Sequence, residues 1–278
     1  MPLNADLHSH SCASDGVLAP SDVAARARAN GVQVWALTDH DETRGLVEAA
    51  QAASTLGMVF VPGVEISVTW AGHTVHVLGL NIDPADTALA AGLAQIRQVR
   101  RDRARRISDL LAAHGIHRAL QGALSVAGNP ALIGRLHFAR FLVEQGHCRT
   151  TQQAFDRYLG EGRRAYVPVR WTRLKAALGW IHGAGGKAVI AHPWRHRHDA
   201  NQQTALFDTF KDLGGEGLEV LAGPRAPARH DAYVRLAQHY GFEGSRGSDF
   251  HAPGAGHFDL GRMPDLPASL TPVWHDWV

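Results

Sequence analysis

"VQVWALTDHDETRGLVEAAQAASTLGMVFVPGVEISV" (residues 32–68) reads as strand, helix, strand. Residues 32–39 are a short apolar run rich in valine and tryptophan. Residues 41–57 are alanine-rich and close at Gly57, and residues 58–68 return to β-branched residues. Strands alternating with helices imply a mostly parallel sheet, since parallel neighbours need a crossover connection. The same alternation extends outward in both directions. Further strands are expected at 4–9, 73–80, 187–192, 216–221 and 242–249. Helices are expected from a Ser21 cap to Gly31 and from Thr172 to the glycines at 183–186. Strands apolar on both faces imply a sheet covered on both sides. Seven of them predict an α/β fold with a closed or nearly closed barrel; an open doubly wound sheet is the alternative.

Residues 80–187 are too long for one crossover. They carry helical patterns at 86–115, at 129–146 behind the start signal Asn129-Pro130, and at "TTQQAFDRYLG". The expected organisation is a barrel from residues 1–89 and 169–278, with a helical insertion at 90–168 that caps the substrate. A formal charge of +2 gives no global field for nucleic acid or membrane. Cys12 and Cys148, the only cysteines, imply no disulfide framework. The opening MPLNADLHSH has no basic stretch before an apolar one, so no secretory signal is expected. No run reaches the length of a membrane span. A soluble, cytoplasmic protein is expected.

Histidine, at 18 residues, is the outlier in composition. His8 and His10 end the first strand, His40 follows the second, Glu65 lies in the third and His76 in the fourth. His192 ends "VIAHP", Asp249 and His251 close the last strand, and Asp15 lies just past the first. In parallel α/β sheets and barrels the carboxyl ends of strands converge on one mouth. Residues i and i+2 point to one face about 6.5 Å apart, so His8/His10 and Asp249/His251 work as pincers on an ion. Six imidazoles and three carboxylates in one mouth are costly to desolvate without a counter-charge. Nine ligands exceed the needs of one ion and suit two or three. Imidazole-rich sites favour zinc, manganese or iron over calcium, whereas magnesium prefers more oxygens.

The ordered motifs "DLHSHSCASDG", "LTDHD", "GVEIS", "HVLGL", "AHP" and "GSDFH" resemble the PHP (polymerase and histidinol phosphatase) family, from residue 3 to about 260. The resemblance implies a distorted (β/α)7 barrel with two or three divalent metal ions, manganese first among them. It implies that His8, His10, Glu65 and Asp249 hold one ion. Glu65, His76 and His192 would hold a second, and Asp15, His40 and His251 a third; all nine would be catalytic through the ions. The segments 129–146, "AYVPVRW" and "AGGKAVIAHP" resemble the stand-alone bacterial branch, which implies a 3′,5′-nucleotide bisphosphate phosphatase or an exonuclease on short RNA.

The implied reaction is hydrolysis of a phosphate monoester on a small nucleotide, the 3′-phosphate of a 3′,5′-nucleotide bisphosphate first, with 5′-to-3′ trimming of short RNA beside it. Multiple ions suit it by making hydroxide available at neutral pH and by binding phosphoryl oxygens. The expected partner is a small nucleotide or short oligoribonucleotide; no membrane and no stable protein partner are expected. Arg135 and His137 are substrate-binding candidates by the same resemblance. Arg170 and Arg195 are candidates by their nearness in sequence to the mouth and by arginine's fork, and Trp194 as a stacking face. Asp39 and Glu219 are candidates for orienting ligands. The alternatives are a C–N hydrolase of the amidohydrolase type, which also opens with H-x-H but uses a lysine bridge, and a histidinol-phosphatase-like enzyme.

Overall fold

The computed structural model describes residues 3–196, 198–222, 227–254 and 258–278. They form two compact units, one from Met1–Leu93 with Trp171–Val278, the other from Ala94–Arg170. The strands are β1 (Ala5–Asp6), β2 (Val34–Leu37), β3 (Val59–Trp70), β4 (His73–Leu80), β5 (Thr172–Arg173), β6 (Lys187–Ile190), β7 (Gly217–Ala222) and β8 (Glu243–Gly247). The helices are α1 (Pro20–Ala29), α2 (Leu46–Thr55), α3 (Thr87–Ala112), α4 (Ala119–Ser125), α5 (Arg135–Glu144), α6 (Thr151–Ala154), α7 (Leu174–Gly183), α8 (Ala200–Asp212) and α9 (Pro227–Tyr240).

All seven strands expected from the sequence are present. They pair in the order β1-β2-β3-β4-β6-β7-β8, with the short β5 added beside β3. The ends meet: Leu7 N–H donates to Arg246 C=O at 3.0 Å, Asp249 N–H to His8 C=O at 2.8 Å and His10 N–H to Phe250 C=O at 2.8 Å. The seven strands thus form a nearly closed, barrel-shaped sheet. One strand breaks the parallel rule. β4 runs antiparallel to both β3 and β6, because the two-residue turn Ala71–Gly72 makes a hairpin and leaves no room for a crossover.

The barrel interior is apolar at one end. Ala5, Leu7, Val34, Ala36, Val61, Leu78, Leu80, Val189 and Ala191 pack there with Val273 and Trp274 from the C-terminal segment. The period of two then places polar groups above them. His40 is in phase with Val34 and Ala36, Glu65 with Val61, and His76 with Leu78 and Leu80, so each faces inward. His192 is one residue out of phase with Ala191. Its φ of 25°, in the left-handed region, re-aims the side chain.

The helical unit has its own core of Ile107, Leu111, Phe138, Phe141, Leu142, Leu159 and neighbours. Asn129 caps a short 3-10 turn at Pro130–Leu132 by accepting from Ala131 N–H, and α5 begins only at Arg135. Ser21 does not cap α1. Pro20 occupies the first helical turn, and the Ser21 hydroxyl donates instead to Glu48 at 2.7 Å. Likewise Thr172 enters β5 and α7 starts two residues later. Among the described residues, no helix is long and apolar enough to cross a membrane.

Candidate metal centre

Glu65, fully buried, is the hub. Its Oε2 lies 3.1 Å from His8 Nε2, 3.2 Å from His10 Nε2 and 3.1 Å from His40 Nδ1. Its Oε1 lies 2.8 Å from His76 Nδ1 and 2.9 Å from His192 Nε2. Around it the imidazoles close a ring, with centroid separations of 5.1 Å (His8–His10), 4.7 Å (His10–His40), 4.8 Å (His40–His76), 5.3 Å (His76–His192) and 5.5 Å (His192–His8). His251 stacks on His10 at 4.1 Å. Asp249 Oδ1 approaches His8 and His10 Nε2 at 3.4 and 3.2 Å, and Asp15 approaches His251 Nε2 at 3.4 Å. The nine residues singled out from the sequence thus come together inside the barrel unit.

Their donor atoms fall into three groups within ligand reach of a common point: His8, His10, Glu65 and Asp249; His10, Asp15, His40 and His251; and His40, Glu65 and His76. His192 belongs to none of these groups, although it lies 3.5 Å from His76 Nδ1. His10 takes part in two.

This donor set fits divalent cations. A carboxylate offers about four lone-pair sites, yet five ring nitrogens crowd Glu65, and His8 Nε2 faces His10 Nε2 at 3.1 Å. Hydrogen bonding alone does not satisfy such a packing. Buried Nδ1 of His10 and of His192 and Oε2 of Glu65 lack hydrogen-bond partners. Nitrogen and carboxylate donors converging on common points are what a divalent cation takes, displacing the protons that the imidazoles otherwise hold.

The electrostatics agree. Burial alone would raise Glu65, Asp15 and Asp249, but the surrounding imidazoles hold all three carboxyls well below their usual range. Burial alone would depress His8, yet Glu219, Glu65 and Asp249 hold it well above the ordinary imidazole value. His10 is lifted to about 10 against burial by Asp249 and Glu65. His40, desolvated and beside other imidazoles, falls to about 3.

Glu219, on β7, fixes the orientation of two histidines. Its Oε1 lies 3.0 Å from His8 Nδ1 and its Oε2 accepts the His192 backbone N–H at 2.6 Å. Holding the proton on His8 Nδ1 leaves Nε2 as a free ligand. Asp39 acts differently from the expectation that it orients a ligand histidine. Its carboxylate accepts from Ser11 N–H (2.8 Å), Ser11 Oγ (2.7 Å) and Ser14 Oγ (2.5 Å), and so clamps the turn that carries Asp15.

The substrate candidates divide between the two units, Trp194 and Arg195 in one and Arg135, His137 and Arg170 in the other. Arg195, 43% exposed in its side chain, pairs with Oδ2 of Asp249. Trp194 is only 6% exposed, with its ring against Tyr233 at 5.3 Å and His230 at 6.1 Å, so it offers no open face for stacking. His137 is buried and its Nδ1 accepts the Gly134 N–H at the start of α5. Arg135 donates to Leu159 C=O at 3.3 Å and lies over the Phe155 and Tyr166 rings. Arg170 is exposed at the end of the helical unit. The sequence reading missed His196, half-buried with its ring 5.9 Å from His192; the repeated H-x-H of "RHRHD" was its signal.

The family model for the PHP domain matches residues 6–168, more than half the chain. The chain belongs to the PHP family. This PHP chain is 46% identical to a 3′,5′-nucleoside bisphosphate phosphatase of Chromobacterium violaceum, over 98% of its own length and 96% of the relative's. It is 41% identical to a 5′-3′ exoribonuclease of Haemophilus influenzae, over 97% of each. Among solved structures, it is similar to one described as an amidohydrolase of Chromobacterium violaceum with bound sulfate and no metal (TM-score 0.92, 46% identity, 98% and 95% covered). It is also similar to one described as a metal-dependent phosphoesterase of Bifidobacterium adolescentis (TM-score 0.79, 28% identity, 96% and 92% covered). The PHP chain is a hydrolase of phosphoric esters.

Proposed function

We propose that this PHP protein removes the 3′-phosphate from a 3′,5′-nucleoside bisphosphate and trims short RNA from its 5′ end, with manganese as the working ion. The observation that carries this is the closed ring of imidazoles about Glu65. Full-length identity to a phosphatase and to an exoribonuclease supports it. When bound, divalent cations make hydroxide available from water at neutral pH and neutralise charge on the phosphoryl oxygens. His8, His10, Glu65 and Asp249 would hold one such ion, Asp15, His40 and His251 another, and Glu65, His76 and His192 a third. The chain's own residues fix geometry. Glu65 links the imidazoles from four strands and loops, Glu219 sets the tautomer of His8, and Asp39 holds the Ser11–Ser14 turn. The pairing of Arg195 with Asp249 and its half exposure support a role for this guanidinium as a charge-assisted donor to a phosphoryl oxygen.

The amidohydrolase reading has the name of one similar structure in its favour. Against it stands the residue at the centre: the acid that five imidazoles surround is Glu65, and the chain has only three lysines, Lys175, Lys187 and Lys211. Lys187 is tied to Glu243 and Asp276. The free cysteines Cys12 and Cys148 support a reducing, cytoplasmic setting. The test is phosphate release from a panel of 3′,5′-nucleoside bisphosphates, 5′-mononucleotides and histidinol phosphate, with and without manganese. Manganese-dependent formation of the 5′-mononucleotide is expected. Amide hydrolysis with no phosphate release would reverse the ranking.

A further inference from the structure

Charge is sorted between the two units. The helical unit, Ala94–Arg170, holds fourteen arginines, no lysine and five carboxylates, a formal +9. The rest of the chain holds fourteen basic and twenty-one acidic residues, a formal −7, and the two give the overall +2. A solvated helical surface ordinarily intersperses both signs, and a like-charged excess works against compactness. Arg103 lies within this excess: burial first, then Arg135 and Arg100 nearby, lower its guanidinium to about 9, and its Nε donates to Val167 C=O at 3.1 Å. Charge sorted this way, and carried entirely by the residue whose planar fork matches phosphate, points to a polyanion.

Part of this excess is gathered into a shaped place. Asp156, Arg157, Tyr158, Arg163 and Arg164 line a cavity of about 300 Å³. The turn Gly160–Arg163, closed by Arg163 N–H to Gly160 C=O at 3.0 Å with Gly162 at φ 72°, exposes Arg163 and, directly after it, Arg164, together with Glu161 in the same turn. Arg157 donates to His147 C=O at 3.2 Å and lies 5.3 Å over the Tyr158 ring, so its guanidinium is held in position. The one acid in the cavity, Asp156, accepts from Gln152 Nε2 at 2.9 Å. Three guanidiniums against one carboxylate, with an aromatic ring beneath, is the combination that tracks a single-stranded backbone.

We infer that this arginine-lined cavity of the helical unit binds the sugar–phosphate backbone of single-stranded RNA through residues other than the nine candidate metal ligands. The inference rests on the phosphoesterase reading and deepens it. A mononucleotide needs no such surface, whereas a strand of several nucleotides does.

The test uses the full chain loaded with manganese and a hydrolysis-resistant phosphorothioate RNA decamer, with binding read by fluorescence anisotropy from 50 to 300 mM salt. Each phosphate contact on a single strand contributes about 0.7 to the slope of log affinity against log salt. The triple variant R157A/R163A/R164A is expected to lose about 2 from that slope and to bind the decamer at least tenfold more weakly. R163A/R164A, which keeps the Arg157 contact to His147, should lose about 1.4. Both should keep wild-type phosphate release from a 3′,5′-nucleoside bisphosphate. Unchanged decamer affinity and slope would overturn the inference, as would equal binding of an acidic peptide of the same charge. If wild-type protein released no phosphate while the decamer results held, the proposed reaction would fail and the RNA surface would stand.

Discussion

At Glu65, five ring nitrogens compete for two oxygens, and the residue that decides which nitrogen is a ligand lies outside the ring. Glu219 holds His8 by Nδ1 and His192 by its backbone. Glu219→Gln should therefore lower manganese affinity about 10- to 100-fold at an unchanged far-ultraviolet spectrum, read by calorimetric titration; wild-type affinity would reduce Glu219 to packing. Asp249 sits among His8, His10 and His251 with its backbone at φ 53°. Asp249→Ala should abolish turnover and reduce bound metal, and full activity at unchanged metal content would contradict the ligand assignment. Protons and cations compete here with a definite sign. Burial would lower His10, but Asp249 and Glu65 lift it to about 10, so without a cation the ring is protonated at neutral pH. A ligand ring must be neutral. Loading manganese should release protons at pH 7–8, and affinity should rise with pH and fall on acidification. A pH indicator in weakly buffered solution reads this directly; no proton release would contradict it.

Two elements set the geometry of the ring. The β8–β1 closure brings His8 and Asp249 together, and it depends on Gly247. A Cβ there would lie 2.2 Å from His8 Cβ and 2.9 Å from Glu219 Oε1. Gly247→Ala should destabilise the fold by about 1–3 kcal/mol, the usual cost of overpacking, and lower metal content with it; thermal melting and metal analysis check this, and an unchanged melt would show that the strands give way freely. The β3–β4 hairpin is the second element. It sets Ser67 opposite His76, so that Glu65 and His76 are diagonal neighbours on one face.

For the whole chain, the barrel unit's acidic surplus and the crowded carboxylates at its centre make cations part of its stability. Binding to the native state alone stabilises by RT ln(1 + [L]/Kd), about 2.7 kcal/mol at a hundredfold excess over Kd. The melting temperature should rise with manganese concentration and fall with chelator, while circular dichroism at 25 °C stays native. A melt indifferent to both would mean that no ion binds the folded chain.

The sequence by itself determined the seven strands, the α/β class and the nine candidate ligands, and left barrel and open sheet as alternatives. Strand period and strand ends are local properties, and H-x-H or D-x-H displays its pincer within three residues. Only the tertiary structure decided the direction of β4, the hairpin diagonal that joins Glu65 to His76, and the role of Glu219, which lies 211 residues from His8 in the chain. It also buried Trp194 against Tyr233 and turned His137 into a helix cap. Local pattern says which way a side chain alternates. Which distant group it meets depends on strand pairing and closure, and no window along the chain contains that information.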